Sequence, residues 1–401
     1  MATLPRSLPR SSPPASSFLP IAGALGLLTG ACVGLDLPPP EELFVGLAYT
    51  DPALHPDAPR VLIAPTGPAR FAGALLARFD TRESAARARA LAVAGGDGAA
   101  ALDQLAVVLA GAGFGALAGL GLEDSGTAGG APRTLAATLE GATRSHEAVL
   151  LVAHLRGAGN PDGPNNARGA AGQAGVALAL AEALEAGELE VPARSLVFLW
   201  CEDAAASHAW LARGSHYVSA AVFSRLAPEP DAAATASMER DLDPGAAGGS
   251  MGTPERPRPD GLAVVARCAL ADVAGLVGGW RTSEAPFAGA GERRPFITVG
   301  VPTVLFRAAA EEGTAAAGDR GQDVTRENLR RTCVAAGATA LALADPVPAD
   351  LERYLLTNRE ELDLRVRDAL EAEDGALAER WRDWCTGVRH WFRALCLDRP
   401  E

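Results

Sequence analysis

Residues 148–203, with the sequence AVLLVAHLRGAGNPDGPNNARGAAGQAGVALALAEALEAGELEVPARSLVFLWCED, contain the pattern that decides the fold. The two apolar runs at 148–153 and 195–200 are typical of strands buried on both faces of a sheet. Between them, a polar loop at 156–168 leads into a helix predicted over 169–186. This order of strand, loop, helix and strand predicts a mainly parallel sheet covered by helices on both faces.

Further elements are predicted on both sides of this stretch. Apolar residues at helical spacing predict helices over 81–93, 99–112, 204–213 and 326–343. Short apolar runs predict strands over 134–139 and 298–306. Residues 263–277 are predicted as a short strand followed by a helix. The glycine-rich residues 111–130 and residues 227–260, rich in proline, glycine and alanine, are predicted as loops. Two prolines near 347 mark a break, after which residues 351–397 form a charged helical tail of one or two helices.

The composition describes a folded, acidic chain. Of its 401 residues, 48% are hydrophobic and 21% are charged, which is typical of a protein with a buried core. The formal charge of −13 argues against nucleic-acid binding, because such proteins carry a basic face. The six cysteines are dispersed without the paired spacing of a zinc finger. Cys385 and Cys396 are left open as a disulfide or as two free thiols.

The amino terminus has the parts of an export signal. Arg6 and Arg10 precede an apolar run at 18–31 that ends in small residues, as in a secretory signal peptide. Cys32 follows Thr-Gly-Ala, which resembles a lipoprotein-processing site, so a lipid anchor at Cys32 is the one membrane attachment expected. These residues predict an exported protein, either held in the cell envelope or secreted. The alternative is an apolar amino terminus on a cytoplasmic protein.

Residues that could carry chemistry follow the two buried strands. His154 comes directly after the first apolar run, and Glu202 and Asp203 follow the second within a Cys-Glu-Asp sequence. Because the carboxyl ends of parallel strands meet at one edge of a sheet, we expect these side chains to lie close together. A histidine and two acids suit a metal ion with a general base. Taken alone, a histidine at a strand end is more often a core or surface residue without a ligand, and an acidic pair is usually a solvated helix start.

Several collinear stretches resemble the family-28 zinc metallopeptidases, a family of aminopeptidases. AVLLVAHLRG matches a strand ending in A-H-x-D, PNNARG matches a helix-opening loop G-x-N-D-N-x-x-G, and LVFLWCED matches a strand ending in E-E. Further matches follow in order, namely SHAWL at 207–211, MERDLDP at 238–244, GERRPF at 291–296 and VPTVLF at 301–306. The resemblance covers about 130–345. It implies a three-layer α/β/α fold with a mixed, mainly parallel central sheet.

With this resemblance the chain divides into four predicted segments. Residues 1–31 are the signal peptide, and residues 32–60 are a linker, with three consecutive prolines, and a first structured segment. Residues 61–345 form the zinc-aminopeptidase-like domain, and residues 346–401 form a helical carboxy-terminal extension.

The resemblance also implies positions for the catalytic machinery. Members of the family hold two zinc ions that share a bridging Asp and take further ligands from His, Asp, Glu and His. His154 and Asp203 stand at retained ligand positions, the latter as Asp for Glu. Glu202 stands at the position of the general base, which deprotonates a metal-bound water.

The remaining positions of this machinery carry different residues. Asn165 stands for the bridging Asp, Arg225 for the next Asp and Ala315 for the last His. Arg156 replaces the carboxylate that orients the first histidine, and Arg293 occupies a further polar position around the site. Asn is a poor zinc ligand because its oxygen is neutral, and Arg adds a permanent positive charge. Neither zinc then keeps the three protein ligands that catalytic zinc takes.

These substitutions predict a catalytically impaired member of the fold that binds a peptide or a protein through the former substrate cleft, without a cofactor. The alternative is an active, metal-dependent peptidase with an atypical, single-metal site, in which Glu202 is the general base and zinc the cofactor. Extra ligands would then come from His208 or His216, or from the carboxylates at 229 and 231. A third hypothesis is a structural envelope protein whose helical tail carries the interaction.

The arginines themselves carry a structural prediction. Two adjacent carboxylates without a metal repel each other, which raises the pKa of at least one of them. We therefore expect Arg156, Arg225 or Arg293 to place its guanidinium within ~4 Å of Glu202 or Asp203, in place of a zinc ion.

Overall fold

A computed structural model describes residues 47–49, 60–62, 69–93, 98–111, 120–124, 133–156, 166–214, 216–226, 235–245, 258–280, 282–287, 289, 291–309 and 319–397. Within these residues, ten strands form one mixed sheet with helices on both faces. The strands are β1 (Leu47–Tyr49), β2 (Arg60–Leu62), β3 (Leu120–Asp124), β4 (Thr134–Leu139), β5 (Arg144–His154), β6 (Arg194–Cys201), β7 (Tyr217–Leu226), β8 (Thr235–Glu239), β9 (Thr282–Ala285) and β10 (Thr303–Ala309).

The helices of the described residues alternate with these strands. They are α1 (Arg70–Arg78), α2 (Thr81–Val93), α3 (Gly98–Gly111), α4 (Ala167–Glu185), α5 (Ala204–Arg213), α6 (Leu262–Leu276), α7 (Arg294–Thr298), α8 (Asp319–Ala344), α9 (Pro348–Glu371) and α10 (Gly375–Leu397). A short 3-10 helix, Gly291–Arg293, leads directly into α7.

The sheet has the strand order β2-β1-β9-β8-β10-β7-β5-β6-β4-β3. Its centre, from β10 through β7 and β5 to β6, is parallel, whereas β4 runs antiparallel to β6 and β8 antiparallel to β10. His154, the last residue of β5, is in register with Cys201, the last residue of β6. The predicted fold class, a mixed and mainly parallel sheet between helical layers, is confirmed.

Strand β5 shows how the sheet separates two apolar layers. Val149, Leu151 and Ala153 point into the larger core cluster, which also contains residues of α4, α6 and α8. Leu150 and Val152 point to the opposite face and contribute to a smaller cluster with residues of α5 and α7. Because successive side chains of a strand point to opposite faces, a continuous apolar run is needed to fill both layers.

Small residues let the helices of the larger layer approach each other closely. A Cβ atom at Gly172 in α4 would lie 2.3 Å from Sγ of Cys333 in α8, and one at Gly337 in α8 would lie 2.5 Å from Cγ1 of Val176 in α4. The contact between α4 and α8 therefore requires glycine on both sides.

The carboxy-terminal helices α9 and α10 dock on the body through buried charges. Glu284 of β9 has a fully buried carboxylate, and Arg267 of α6 lies with its Nη2 atom 2.9 Å from Oε2 of Glu284. The same guanidinium reaches Glu361 of α9 at 3.3 Å. Arg365 of α9 is equally buried, with Nη2 at 3.6 Å from Oε1 of Glu284. The helical tail is thus tied to the sheet by ion pairs that water does not reach.

Several sequence-based predictions of single elements are corrected. The region 227–260 contains the strand β8, and 111–130 contains β3, so both predicted loops include strands. Residues 263–277 are helical throughout in α6, and 298–306 combines the end of α7 with the start of β10. Strand β7 is a further central strand that was not predicted. In each case, pairing with neighbouring strands or packing in the core outweighs the local composition.

Within the described part of the chain, no single helix is both long and apolar enough to cross a membrane; the pair Arg326–Ala344 and Pro348–Glu371, bent by 118°, meets the criterion together by length and composition. Cys385 and Cys396 are buried free thiols, so the disulfide alternative is not realised. The predicted signal peptide and Cys32 lie outside the described residues.

Candidate functional site

The ends of β5 and β6 are held side by side by backbone hydrogen bonds that continue past the strands. Leu155 N donates to Cys201 O at 2.8 Å, and Arg156 N donates to Glu202 O at 3.0 Å. The residues predicted as ligand and general base, His154 and Glu202, are therefore brought to one edge of the sheet, as parallel strands require.

His154 is buried and both of its ring nitrogens face protein atoms. Nε2 lies 3.0 Å from Oγ of Ser207 in α5, and Nδ1 lies 3.4 Å from Oε2 of Glu292. Phe223 of β7 stacks against the imidazole at a ring distance of 5.9 Å. A histidine binds a metal through a ring nitrogen lone pair, and in this arrangement each ring nitrogen of His154 lies within 3.4 Å of a protein oxygen.

Glu292 is the functional neighbour of His154 that the sequence analysis missed. Burial alone would raise the pKa of its carboxyl group, but the hydrogen bond from His154 and the charges of Arg225 and Arg293 outweigh burial and lower that pKa below its ordinary value. Glu292 therefore stays ionised inside the protein. Glu292 is the one carboxylate in the GERRPF motif, and this is the only feature of the sequence that pointed to it.

Both carboxylate oxygens of Glu202 contact protein groups. Oε1 lies 3.3 Å from Nη1 of Arg156, and the backbone amide of Arg133 donates to Oε2 at 3.3 Å. The first residue of α3, Gly98, packs so tightly on this side chain that a Cβ atom there would lie 2.5 Å from Cγ of Glu202. The predicted contact of an arginine with this carboxylate is present, and Arg156 makes it.

Asp203 is the N-cap of α5. Its Oδ1 atom accepts hydrogen bonds from the backbone amides of Ala205 and Ala206, both at 2.9 Å. An Asp at this position satisfies amides that have no partner within the helix, and its charge interacts favourably with the helix dipole. By these contacts Asp203 stabilises the start of α5.

The other two arginines do not contact Glu202 or Asp203. Arg293 is buried, where it forms an ion pair with Glu239 and donates to the backbone oxygen of Arg240 at 2.9 Å. Arg225 stands one residue before the end of β7 and is half-buried. It acts on Glu292 through its charge.

Two predicted positions, Asn165 and Ala315, lie outside the described residues, as do the carboxylates at 229 and 231. His208 is exposed on α5, and His216 is half-buried before β7. Within the part of the chain that the structure describes, no group of three or more His, Cys, Asp or Glu side chains is arranged to hold a metal ion. Together with the partners of His154, Glu202 and Asp203, this means that the described residues do not fit zinc.

Comparison with known proteins yields structural matches only. No family model and no curated protein matches the chain. Among solved structures, the LapA aminopeptidase of Legionella pneumophila is 13% identical with a TM-score of 0.49, and the match covers 71% of this chain and 77% of that one. A glutaminyl cyclase of Macrostomum lignano is 15% identical with a TM-score of 0.47, covering 71% and 96%.

A Zn-dependent exopeptidase of Parabacteroides distasonis is 14% identical with a TM-score of 0.40, covering 67% of this chain and 98% of that chain. Aminopeptidases and a Zn-dependent exopeptidase are therefore among the matches. These matches, at 13–15% identity and TM-scores of 0.40–0.49, are a likeness of the fold alone.

Proposed function

We propose that this protein is a peptide-binding protein on an aminopeptidase-type fold and that it does not hydrolyse peptides. Its ligand would bind at the carboxyl edge of the central strands, where α/β folds place their sites. At that edge, protein contacts occupy the side chains that a metal-dependent peptidase would use as metal ligand and as general base. The proposal also follows the sequence-based hypothesis of an impaired enzyme.

The observation that carries the proposal is the environment of His154. Its two ring nitrogens lie 3.0 Å from a serine hydroxyl and 3.4 Å from a glutamate carboxylate. Binding a metal through Nδ1 would take the imidazole away from the buried carboxylate of Glu292, and leaving a buried polar group unpaired costs about 1–3 kcal/mol. Binding through Nε2 would break the contact with Ser207, whose hydroxyl keeps its hydrogen bond to Ala204 O. The ion pair of Arg156 with Glu202 adds a second obstacle, since the guanidinium lies 3.3 Å from one oxygen of the carboxylate proposed as the base.

The competing function is metal-dependent hydrolysis with Glu202 as general base. It requires one ring nitrogen of His154 to exchange its protein partner for the metal, and Arg156 to leave Glu202. The intact protein can distinguish the two. After purification, dialysis against a chelator and re-addition of zinc, we expect well below one zinc per chain and no release of amino acids from unblocked peptides.

Two variants make this experiment decisive. His154→Ala and Asp203→Ala should leave the zinc content unchanged, because neither residue holds zinc. Near-stoichiometric zinc that falls in both variants, together with peptidase activity that falls in Glu202→Gln, would overturn the proposal in favour of the enzyme.

We further propose that the chain is exported and anchored through a lipid on Cys32. Support comes from the charged start, the apolar run at 18–31 and the small residues before Cys32. Mass spectrometry of the mature protein should find Cys32 at the amino terminus with added acyl mass. A mature chain that still begins at Met1 would contradict export by this route.

A further inference from the structure

We infer that Arg225, together with Arg307, forms a binding site for a carboxylate group carried by a peptide. This inference rests on the proposed function and specifies the ligand class of the same edge of the sheet. It is argued from the placement of two arginines on neighbouring strands and from a buried asparagine that holds one of them.

Arg225 and Arg307 are neighbours in the sheet. They are register partners on the parallel strands β7 and β10, so their Cα atoms are about 4.8 Å apart and their side chains leave the same face. That face also carries Phe223 and His154, because Phe223 is two residues before Arg225 and stacks on the imidazole. Two arginine side chains thus start from neighbouring positions on one face of the sheet, next to the proposed binding edge.

Arg225 brings unused hydrogen-bond donors. Within the described part of the chain, no residue forms an ion pair with its guanidinium or accepts a hydrogen bond from it. Arg307 forms an ion pair with Glu239, which it shares with the buried Arg293, and keeps 41% of its side chain exposed. The charge of Arg225 acts on Glu292, but the carboxylate of Glu292 faces His154. An incoming anion would therefore find donors that the described residues do not use.

The backbone around Arg225 is held in place by the side chain of Asn166. Nδ2 of Asn166 donates to Ser224 O at 2.9 Å, and Leu226 N donates to Oδ1 of Asn166 at 3.0 Å. These two hydrogen bonds hold the residues directly before and after Arg225. The pairing of β7 with β5 ends at Phe223. Beyond Phe223, the side chain of the buried Asn166 makes these hydrogen bonds to the backbone of β7. Such fixing lowers the entropy that Arg225 would lose on binding.

A carboxylate is the ligand that this geometry favours. The planar fork of a guanidinium binds the two oxygens of a carboxylate in a bidentate manner, which a cationic or neutral peptide group cannot offer. A peptide has two sources of this group, its carboxy terminus and its acidic side chains. The experiment separates the two.

The experiment is calorimetric titration of the full mature chain, in low salt and without phosphate, with three blocked peptides. Acetyl-Ala-Ala-Ala carries a terminal carboxylate, acetyl-Ala-Glu-Ala-amide carries one on a side chain, and acetyl-Ala-Ala-Ala-amide carries none. We expect at least one carboxylate peptide to bind at least tenfold more tightly than the uncharged peptide. Which of the two binds better identifies the source. The affinity should fall as salt is raised.

Four variants test the residues. Arg225→Gln should lose at least tenfold in affinity, and Arg225→Lys, which keeps the charge but loses the fork, should lose several-fold. Asn166→Ala should weaken binding through the position of Arg225, and a crystal structure of that variant should show Arg225 displaced. The exposed Arg82→Gln on α2 is the matched control and should bind as wild type.

Each failure has a distinct meaning. Equal binding of all three peptides, or an unchanged affinity in Arg225→Gln with a wild-type melting curve, would overturn the carboxylate site while leaving peptide binding intact. Binding of none of the peptides would overturn the carboxylate site as well. Zinc-dependent hydrolysis would instead overturn the proposed function itself.

Discussion

Nη1 of Arg156 lies 3.3 Å from Oε1 of Glu202, across the ends of the neighbouring strands β5 and β6. The sequence resemblance predicts that the acid stands at the family's general-base position and the arginine at a position that is a carboxylate in the family. In the structure, a positive charge of the protein lies beside Glu202. Both side chains keep some exposure, 30% and 18%, so the pair contributes modestly to stability.

Replacing Arg156 tests the energy of this pair. Arg156→Gln should lower the free energy of unfolding by about 0.5–1 kcal/mol, because one partly exposed ion pair is lost. Urea denaturation measures the change, and the double variant with Glu202→Gln should show a coupling energy of similar size. Arg382→Gln, which removes a more exposed ion pair with Glu379, is the control and should change little. Additive effects of Arg156→Gln and Glu202→Gln would show that the pair does not form.

The ionised Glu292 predicts a pH dependence. Because its folded-state pKa is lowered, its charge stabilises the fold above the unfolded-state pKa of about 4.3, and this stabilisation is lost as pH falls through the folded-state pKa. Glu292→Gln should therefore be about 1–3 kcal/mol less stable than wild type at pH 7. The difference should shrink as the pH is lowered towards 3. A difference that stays constant over this range would contradict the ionised state of Glu292.

The sequence predicted well those parts of the site that depend on neighbouring strands. Apolar runs filled both layers around β5 and β6, so their parallel pairing placed His154 beside Glu202 as expected. The arginine contact also followed from charge alone, since an unpaired acid at a strand end attracts a cation. The sequence left Arg156, Arg225 and Arg293 open for this contact, and in the structure Arg156 makes it.

The partners of His154 could not be predicted in the same way. Glu292 and Ser207 reach the imidazole from the 3-10 helix and from α5, and no local pattern specifies such long-range contacts. Strand β8 lies in a segment of loop-like composition and becomes a strand because β10 and β9 pair with it on both sides. Tertiary pairing of this kind outweighs propensity and leaves no trace in a single sequence.

Glu284 anchors the carboxy-terminal helices, and its removal should be severe. Its fully buried carboxylate is shared by Arg240, Arg267 and Arg365. Glu284→Gln would leave the three buried arginines with Glu361 as their shared carboxylate, and breaking buried ion pairs in this way costs about 3–5 kcal/mol. Glu379→Gln, on the exposed face of α10, should change stability by less than about 0.5 kcal/mol. Urea denaturation of both variants makes the comparison, and equal effects would show that the buried cluster is dispensable.

Asp260 predicts the opposite pH dependence to Glu292. Burial and, after it, the negative charge of Asp241 raise the pKa of Asp260 to about 8, although the backbone amide of Leu262 acts in the other direction. Between about pH 4, the unfolded-state value, and pH 8 the folded protein holds a proton that the unfolded chain has released. Stability should therefore fall as pH rises through this window, by at most about 1.4 kcal/mol per pH unit from this one group.

Asp260→Asn removes this titration and keeps the shape of the side chain. The stability of the variant relative to wild type should rise as pH rises from 5 to 8. Over this range Asp260 of the wild type must either ionise or retain its proton at an increasing cost in free energy, whereas the amide of the variant does neither. Melting temperatures at pH 5, 6, 7 and 8 measure the gain. Asp383→Asn, an exposed replacement on α10, supplies the control and should follow the wild-type curve. If the Asp260→Asn curve also runs parallel to wild type, then Asp260 is ionised in the folded protein at neutral pH, and burial does not dominate its environment.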